Sequence, residues 1–145
     1  MPPITLEPTT PKAATRQLPL VRSIVRDLLD GWERLKLAGR GRRHLEELRG
    51  KLAAGPMERK LLEDVDQLTA RMEHYLGELE RLGADCPDIA EGIVVWLWRA
   101  PWALVWIVWD PERSKVDTWC AITEERVPDL ENRHPIPNLL EDRTR

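Results

Sequence analysis

The sequence predicts an α+β protein, an antiparallel two-helix, coiled-coil-like hairpin followed by a small three-stranded antiparallel sheet. Three observations predict it. Two apolar seams advance in alternating steps of three and four residues, one over residues 18–35 and one over residues 61–82. Beyond Gly83 the helical period gives way to β-branched and aromatic runs at residues 93–99 and 103–109. Six of the seven Trp fall between Trp96 and Trp119, so the aromatic mass sits where the sheet is expected.

The 145 residues suit a single domain. Residues 1–9 read as a loose tail. Residues 10–83 read as the hairpin, 92–122 as the Trp-rich β-meander, and 123–145 as a polar, partly irregular tail. Thr10-Pro11 is a helix start, because a Thr hydroxyl can cap and a Pro at the first helical position has no N–H to leave unpaired. Leu18, Val21, Val25, Leu28, Trp32 and Leu35 form the first seam. Pro19 lies inside this helix and should bend it. Gly39-Arg40-Gly41-Arg42-Arg43 weakens the pattern, and a continuous, bent helix is expected across it.

Residues 53–56 (AAGP) read as the connection, with Gly55 suited to a left-handed cap. Leu61, Val65, Leu68, Met72, Tyr75, Leu79 and Leu82 make the second seam, and Gly83 is its natural C-cap. Residues 84–91 (ADCPDIAE) read as a loop. Strands follow at 93–99 (IVVWLWR), 103–109 (ALVWIVW) and, more polar, 115–122 (KVDTWCAI), with Pro in both intervening turns.

The motif TPKAATRQLPLVR over residues 10–22 resembles the opening of a bacterial family of unknown function. There, a Thr-capped helix and a Leu-Pro-x-Val run lead into a long two-helix hairpin. A Leu-Gly exit, matched by Leu82-Gly83, leads to a small C-terminal β-segment. The resemblance covers residues 9–110 and implies fold and organisation, not an activity. The family's β-segment carries Cys-Trp-Arg and later Trp-His. Here Trp98-Arg99 matches, but Leu97 replaces the Cys and no His follows Trp109. Any metal or redox role of that Cys and His is therefore not expected of this chain.

Charge narrows the partners. The net charge is −3, with eleven Lys/Arg against six Asp/Glu in residues 1–56 and eleven against nineteen thereafter. A pI of about 5.7 argues against nucleic acid, whose binding domains are net basic. Residues 92–109 are long enough to span a bilayer, but Arg99 and Pro101 sit at the centre, so no membrane span is expected. The Pro-rich start lacks a secretory core, and Cys86 and Cys120 lack metal-type spacing. A reduced, cytoplasmic protein is expected.

No catalytic constellation emerges. His44 sits in a basic run and His134 in the polar tail, His74 reads as a solvated helical residue near Glu73, Glu78 and Glu80, neither helix shows the Glu-x-x-His motif of bundle metal sites, and no cofactor or metal is expected. The functional hint is the sheet. Ile93, Val95 and Leu97 alternate with Val94, Trp96 and Trp98, so both faces are apolar and both need cover. The hairpin can cover one; the tail, a second copy or another protein must cover the other. The aliphatic face is expected to meet the helices. Trp96, Trp98, Trp106 and Trp119 then become interface candidates, for a homodimer or for docking another protein. The alternative is a small-ligand or anion site in which Arg99 lines a pocket between sheet and helices.

Overall fold

The computed structural model describes residues 6–49 and 56–137, the side chains of 40–49 and 56–58 excepted. Helix α1 (Pro11–Arg16) starts as its residues dictate: Thr10 Oγ1 accepts the Ala13 N–H at 3.1 Å, and Pro11 occupies the first turn. The helix then breaks instead of bending. Pro19 has no N–H to offer the carbonyl four residues back, and Gln17 closes α1 by donating to the Ala14 carbonyl at 3.0 Å. Helix α2 (Leu18–Arg49) restarts at once, with Pro19 harmless in its first turn, and continues across Gly39–Arg43. The expected connection at residues 53–55 lies outside the described residues.

Helix α3 (Pro56–Arg81) returns antiparallel to α2. At one end Gln17 Nε2 donates to the Leu82 carbonyl at 3.2 Å. Further along α2, a Cβ on Gly31 would lie 3.2 Å from Met72 Cγ, so Gly31 lets the helices close together. Leu18, Val21, Ile24, Val25 and Leu28 are buried from α2, and Met72 and Leu79 from α3. Trp32, Leu35 and Tyr75 are only half-buried.

Gly83, at φ 80°, ends α3 and sends the chain directly into a sheet. That sheet has five strands, not three. They are β1 (Ala84–Asp88), β2 (Ile93–Arg99), β3 (Leu104–Trp109), β4 (Thr118–Cys120) and β5 (His134–Pro135), arranged in chain order. Every neighbouring pair is antiparallel. The two additional strands are the ones that contain proline. Pro cannot donate to a ladder, so it marks edges and bulges. Pro87 lies where the β1–β2 register shifts between Asp85 and Asp88, and Pro135 lies in the opposite edge strand.

The two faces are also the reverse of expectation. Val94, Trp96 and Trp98, with Val105, Ile107 and Trp109, form one core with the helices. Their opposites, Ile93, Val95 and Leu97 with Trp106, Val108 and Cys120, form a second cluster. Bulky indoles fill the space between helices and sheet, and two of them find polar partners there. Trp96 Nε1 donates to Gln17 Oε1 at 2.9 Å, and Trp109 Nε1 to the Arg113 carbonyl at 2.8 Å. The aliphatic face has a thinner cover of Leu6, Ile122 and Leu130. Thr9 helps hold this cover by donating its N–H to the Leu97 carbonyl at 2.7 Å. The long apolar run of residues 92–109 is thus β2, a turn and β3. Among the described residues, no helix is long and apolar enough to cross a membrane.

The two thiols lie one on each face, both buried and unpaired. Burial pushes Cys86 up to about 12, helped by Asp85 and Asp88, and burial pushes Cys120 up to about 11. Between the ordinary thiol value of 9.0 and these raised values the unfolded chain has lost protons that the folded chain retains. Stability should therefore fall as pH rises above 9.0 and go on falling towards 12. Urea titrations at stepped alkaline pH check this against the Cys86→Ala/Cys120→Ala variant, which should lose the thiol part of the slope. An unchanged slope would show that the thiols are not its source.

Candidate functional site

The helices do not cover the whole of the Trp-bearing face. Across the sheet, Trp96 pairs with Ile107, Ile107 with Trp119, and Trp119 with His134. Trp96 is fully buried, Trp119 is half-buried and His134 is exposed, so cover thins towards β5. The β2–β3 turn completes this outer strip. Ala100 donates its N–H to the Ala103 carbonyl at 2.9 Å, which closes a tight turn with Pro101 and Trp102 at its tip. From there Trp102 folds back over the sheet. Its ring meets Trp98 edge-on at 5.5 Å between centroids and Trp119 at 5.0 Å with a 56° tilt. His134 extends the row, 4.7 Å from Trp119.

The result is a tile of Trp102, Trp119 and His134 resting on buried Trp98. Trp102 is 44 % exposed, the one Trp among the exposed large apolar side chains. Neither Trp102 nor Trp119 gives its indole N–H to an acceptor among the described residues, in contrast to Trp96 and Trp109. The tile therefore presents stacking faces and hydrogen-bond donors together.

Of the sequence-predicted residues, Trp96, Trp98 and Trp119 do share one face. Trp96 and Trp98 are closed off inside the core and Trp119 reaches the surface. Trp106 belongs to the opposite face, buried under the tail segments, with its indole N–H unpaired. Trp98 Nε1 is likewise buried without a partner. Arg99 is exposed at the end of β2, where it pairs in register with exposed Leu104, away from the groove that α2 forms with Trp109 and Pro111. Sequence reasoning missed Trp102 and His134. A Trp beside a turn Pro is a legible signal for the first. Nothing local ties residue 134 to residue 119.

A second concavity lies where α2 meets the β3–β4 turn. Pro19, Arg22, Ser23, Val25, Arg26, Leu29, Trp109 and Pro111 line a groove of about 500 Å³. The neighbouring charges on that turn are mutually engaged. Asp110 accepts from Arg113 at 3.2 Å and from Arg133 at 3.4 Å, and Arg113 reaches Asp117 at 3.0 Å. On α3, His74 is exposed and bonds Glu78 at 2.9 Å. Among the described residues, no three His, Cys, Asp or Glu side chains converge as a metal site would need.

No curated protein and no solved structure matches the chain. A family model does, over residues 9–127, from Thr9 through α1, α2 and α3 and on through β1 to β4. That span takes in the Thr10–Arg22 opening and the Leu82-Gly83 exit and reaches past the expected limit at residue 110. The chain belongs to DUF2203, a family of uncharacterised conserved proteins.

Proposed function

We propose that this protein is a non-enzymatic interaction module that docks a short, proline-rich segment of another polypeptide on the Trp102–Trp119–His134 tile. The observation that carries the reading is the tile itself, three surface rings at 5.0 and 4.7 Å spacings with two indole N–H groups uncommitted. Extended proline-rich segments dock on grooves between aromatic rings. Their carbonyls have no partners within the segment, and indole N–H groups supply them. The size of the tile sets the kind of partner. Even fully exposed aromatics present only about 150–250 Å² each. Three rings, one of them half-buried and one a small imidazole, fall short of the roughly 800 Å² per partner that a stable subunit interface buries. This favours a peptide segment over a homodimer through the same surface.

The test is a titration of the ¹⁵N-labelled protein with a decaproline peptide. The indole signals of Trp102 and Trp119 should shift in a saturable way while those of Trp96 and Trp109 stay in place. Trp102→Ala should weaken binding by about tenfold or more, as loss of a central aromatic anchor does, with little change in melting temperature. Silent Trp102 and Trp119 signals at millimolar peptide would remove the reading.

A further inference from the structure

We propose that the groove between α2 and the β3–β4 turn binds a small organic anion with a flat apolar body. The site is independent of the aromatic tile. Its polar wall is one side of α2, where Arg22 and Arg26 stand one turn apart with Ser23 between them. Its apolar wall is Val25, Leu29, Trp109 and Pro111. The two walls sort a ligand into a charged end and a flat, greasy end.

Three features set these arginines apart from ordinary solvated charge. Arg22 is fixed: its guanidinium lies 5.2 Å from the Trp109 ring centroid, and its Nη2 donates to the Arg113 carbonyl at 2.6 Å. That carbonyl also accepts from Trp109 Nε1 at 2.8 Å, so cation, ring and turn form one rigid unit. An arginine held this way has given up its rotamer freedom before any ligand arrives. Arg26 is uncompensated. Like charges at this spacing repel along a helix. The acid one turn further on, Asp30, is engaged by Arg34 at 3.1 Å. Arg26 has no acidic partner among the described residues.

Third, the apolar wall is tightly built. Gly92 holds φ 67°, and a Cβ there would come 3.0 Å from both Val25 Cγ1 and Pro111 Cγ, so the β1–β2 turn packs directly behind the groove. The nearby acids Glu91, Asp110 and Glu112 line a neighbouring cleft that shares Pro111, and none of them lines this groove. A fixed arginine and an uncompensated one beside an indole suit a carboxylate, sulfate or phosphate carried on a ring.

The experiment titrates ¹⁵N-labelled full-length protein with phenyl phosphate, and separately with phenol, inorganic phosphate and phosphatidylglycerol vesicles. Phenyl phosphate should move the Trp109 indole and the Arg22 and Arg26 Nε signals saturably, while Trp102 and Trp119 stay in place. Phenol and inorganic phosphate should each bind more weakly by about tenfold, because each engages one wall only. Arg26→Met lies on an exposed helix face and should keep the fold. It should weaken phenyl phosphate by about tenfold, the value of one charge-assisted hydrogen bond. Ser23→Ala is a second fold-neutral probe and should weaken it less. Equal binding by Arg26→Met and wild type, or silence at Trp109, would overturn the proposal. Vesicle binding without a response to phenyl phosphate would also overturn it, by making the strip a membrane contact.

Discussion

Trp96→Ala should remove a large part of the protein's stability. The residue is fully buried where β2 meets the helices, and truncating a buried Trp costs about 3–5 kcal/mol. Domains of this kind hold roughly 5–15 kcal/mol in all. The loss is more than a cavity. Trp96 Nε1 donates to Gln17 Oε1 at 2.9 Å, and Gln17 Nε2 donates to the Leu82 carbonyl at 3.2 Å. One amide thus joins the α1–α2 junction, the end of α3 and the centre of the sheet. Trp96→Phe keeps most of the apolar volume but leaves the Gln17 oxygen without its donor, at about 1–3 kcal/mol. Urea unfolding followed by far-ultraviolet circular dichroism should therefore rank wild type above Trp96→Phe above Trp96→Ala. The same measurement on Trp102→Ala should show a much smaller change. If Trp96→Ala unfolds at the wild-type urea midpoint, this account of the helix–sheet contact is wrong.

Gly92→Val should be nearly as damaging, for a backbone reason. Gly92 sits at φ 67° in the β1–β2 turn, with its N–H donating to the Ile89 carbonyl at 3.1 Å. An L-residue, and a β-branched one above all, resists that conformation at about 1–3 kcal/mol. The added Cβ would also press on Val25 Cγ1 and Pro111 Cγ, both at 3.0 Å, and overpacking costs a further 1–3 kcal/mol or about that. Gly92→Ala should fall between wild type and Gly92→Val in urea midpoint. A Gly92→Ala variant as stable as wild type would mean that the turn shifts freely. In that case the rigid wall assigned to the groove would not exist.

The legible parts of this fold were those with a strong local period. The seams from Leu18 and from Leu61 mark two helices, and the β-branched, Trp-rich runs mark β2 and β3. The edge strands were not legible because their residues argue against strand when read alone. Ala84-Asp85-Cys86-Pro87-Asp88 has loop chemistry, and only pairing with β2 makes it extended. His134-Pro135 is two residues paired with Thr118 and Trp119. The direction of the faces was hidden for a different reason. When both faces of a strand are apolar, a period of two separates them but does not rank them. The ranking came from the indoles' need for space and for acceptors such as Gln17. The covering residues Leu6, Ile122 and Leu130 are too scattered to form a pattern. The tile was half legible: Trp119 stood out, but its neighbours came from a turn and from a segment read as tail.

The Gln17 contact also orders events during synthesis. A chain leaves the ribosome N-terminus first, at roughly 5–20 residues per second. Gln17 emerges long before Leu82, and Leu82 before Trp96. While translation passes through that interval, the hairpin has a template for its own seam but none for its sheet-facing side. Val21, Val25 and Leu28, which the finished protein seals completely, then have incomplete cover. The nascent hairpin is consequently a stage with apolar surface open to aggregation. Release from that stage waits on the synthesis of β2 and β3, which together carry the sheet's side of that core.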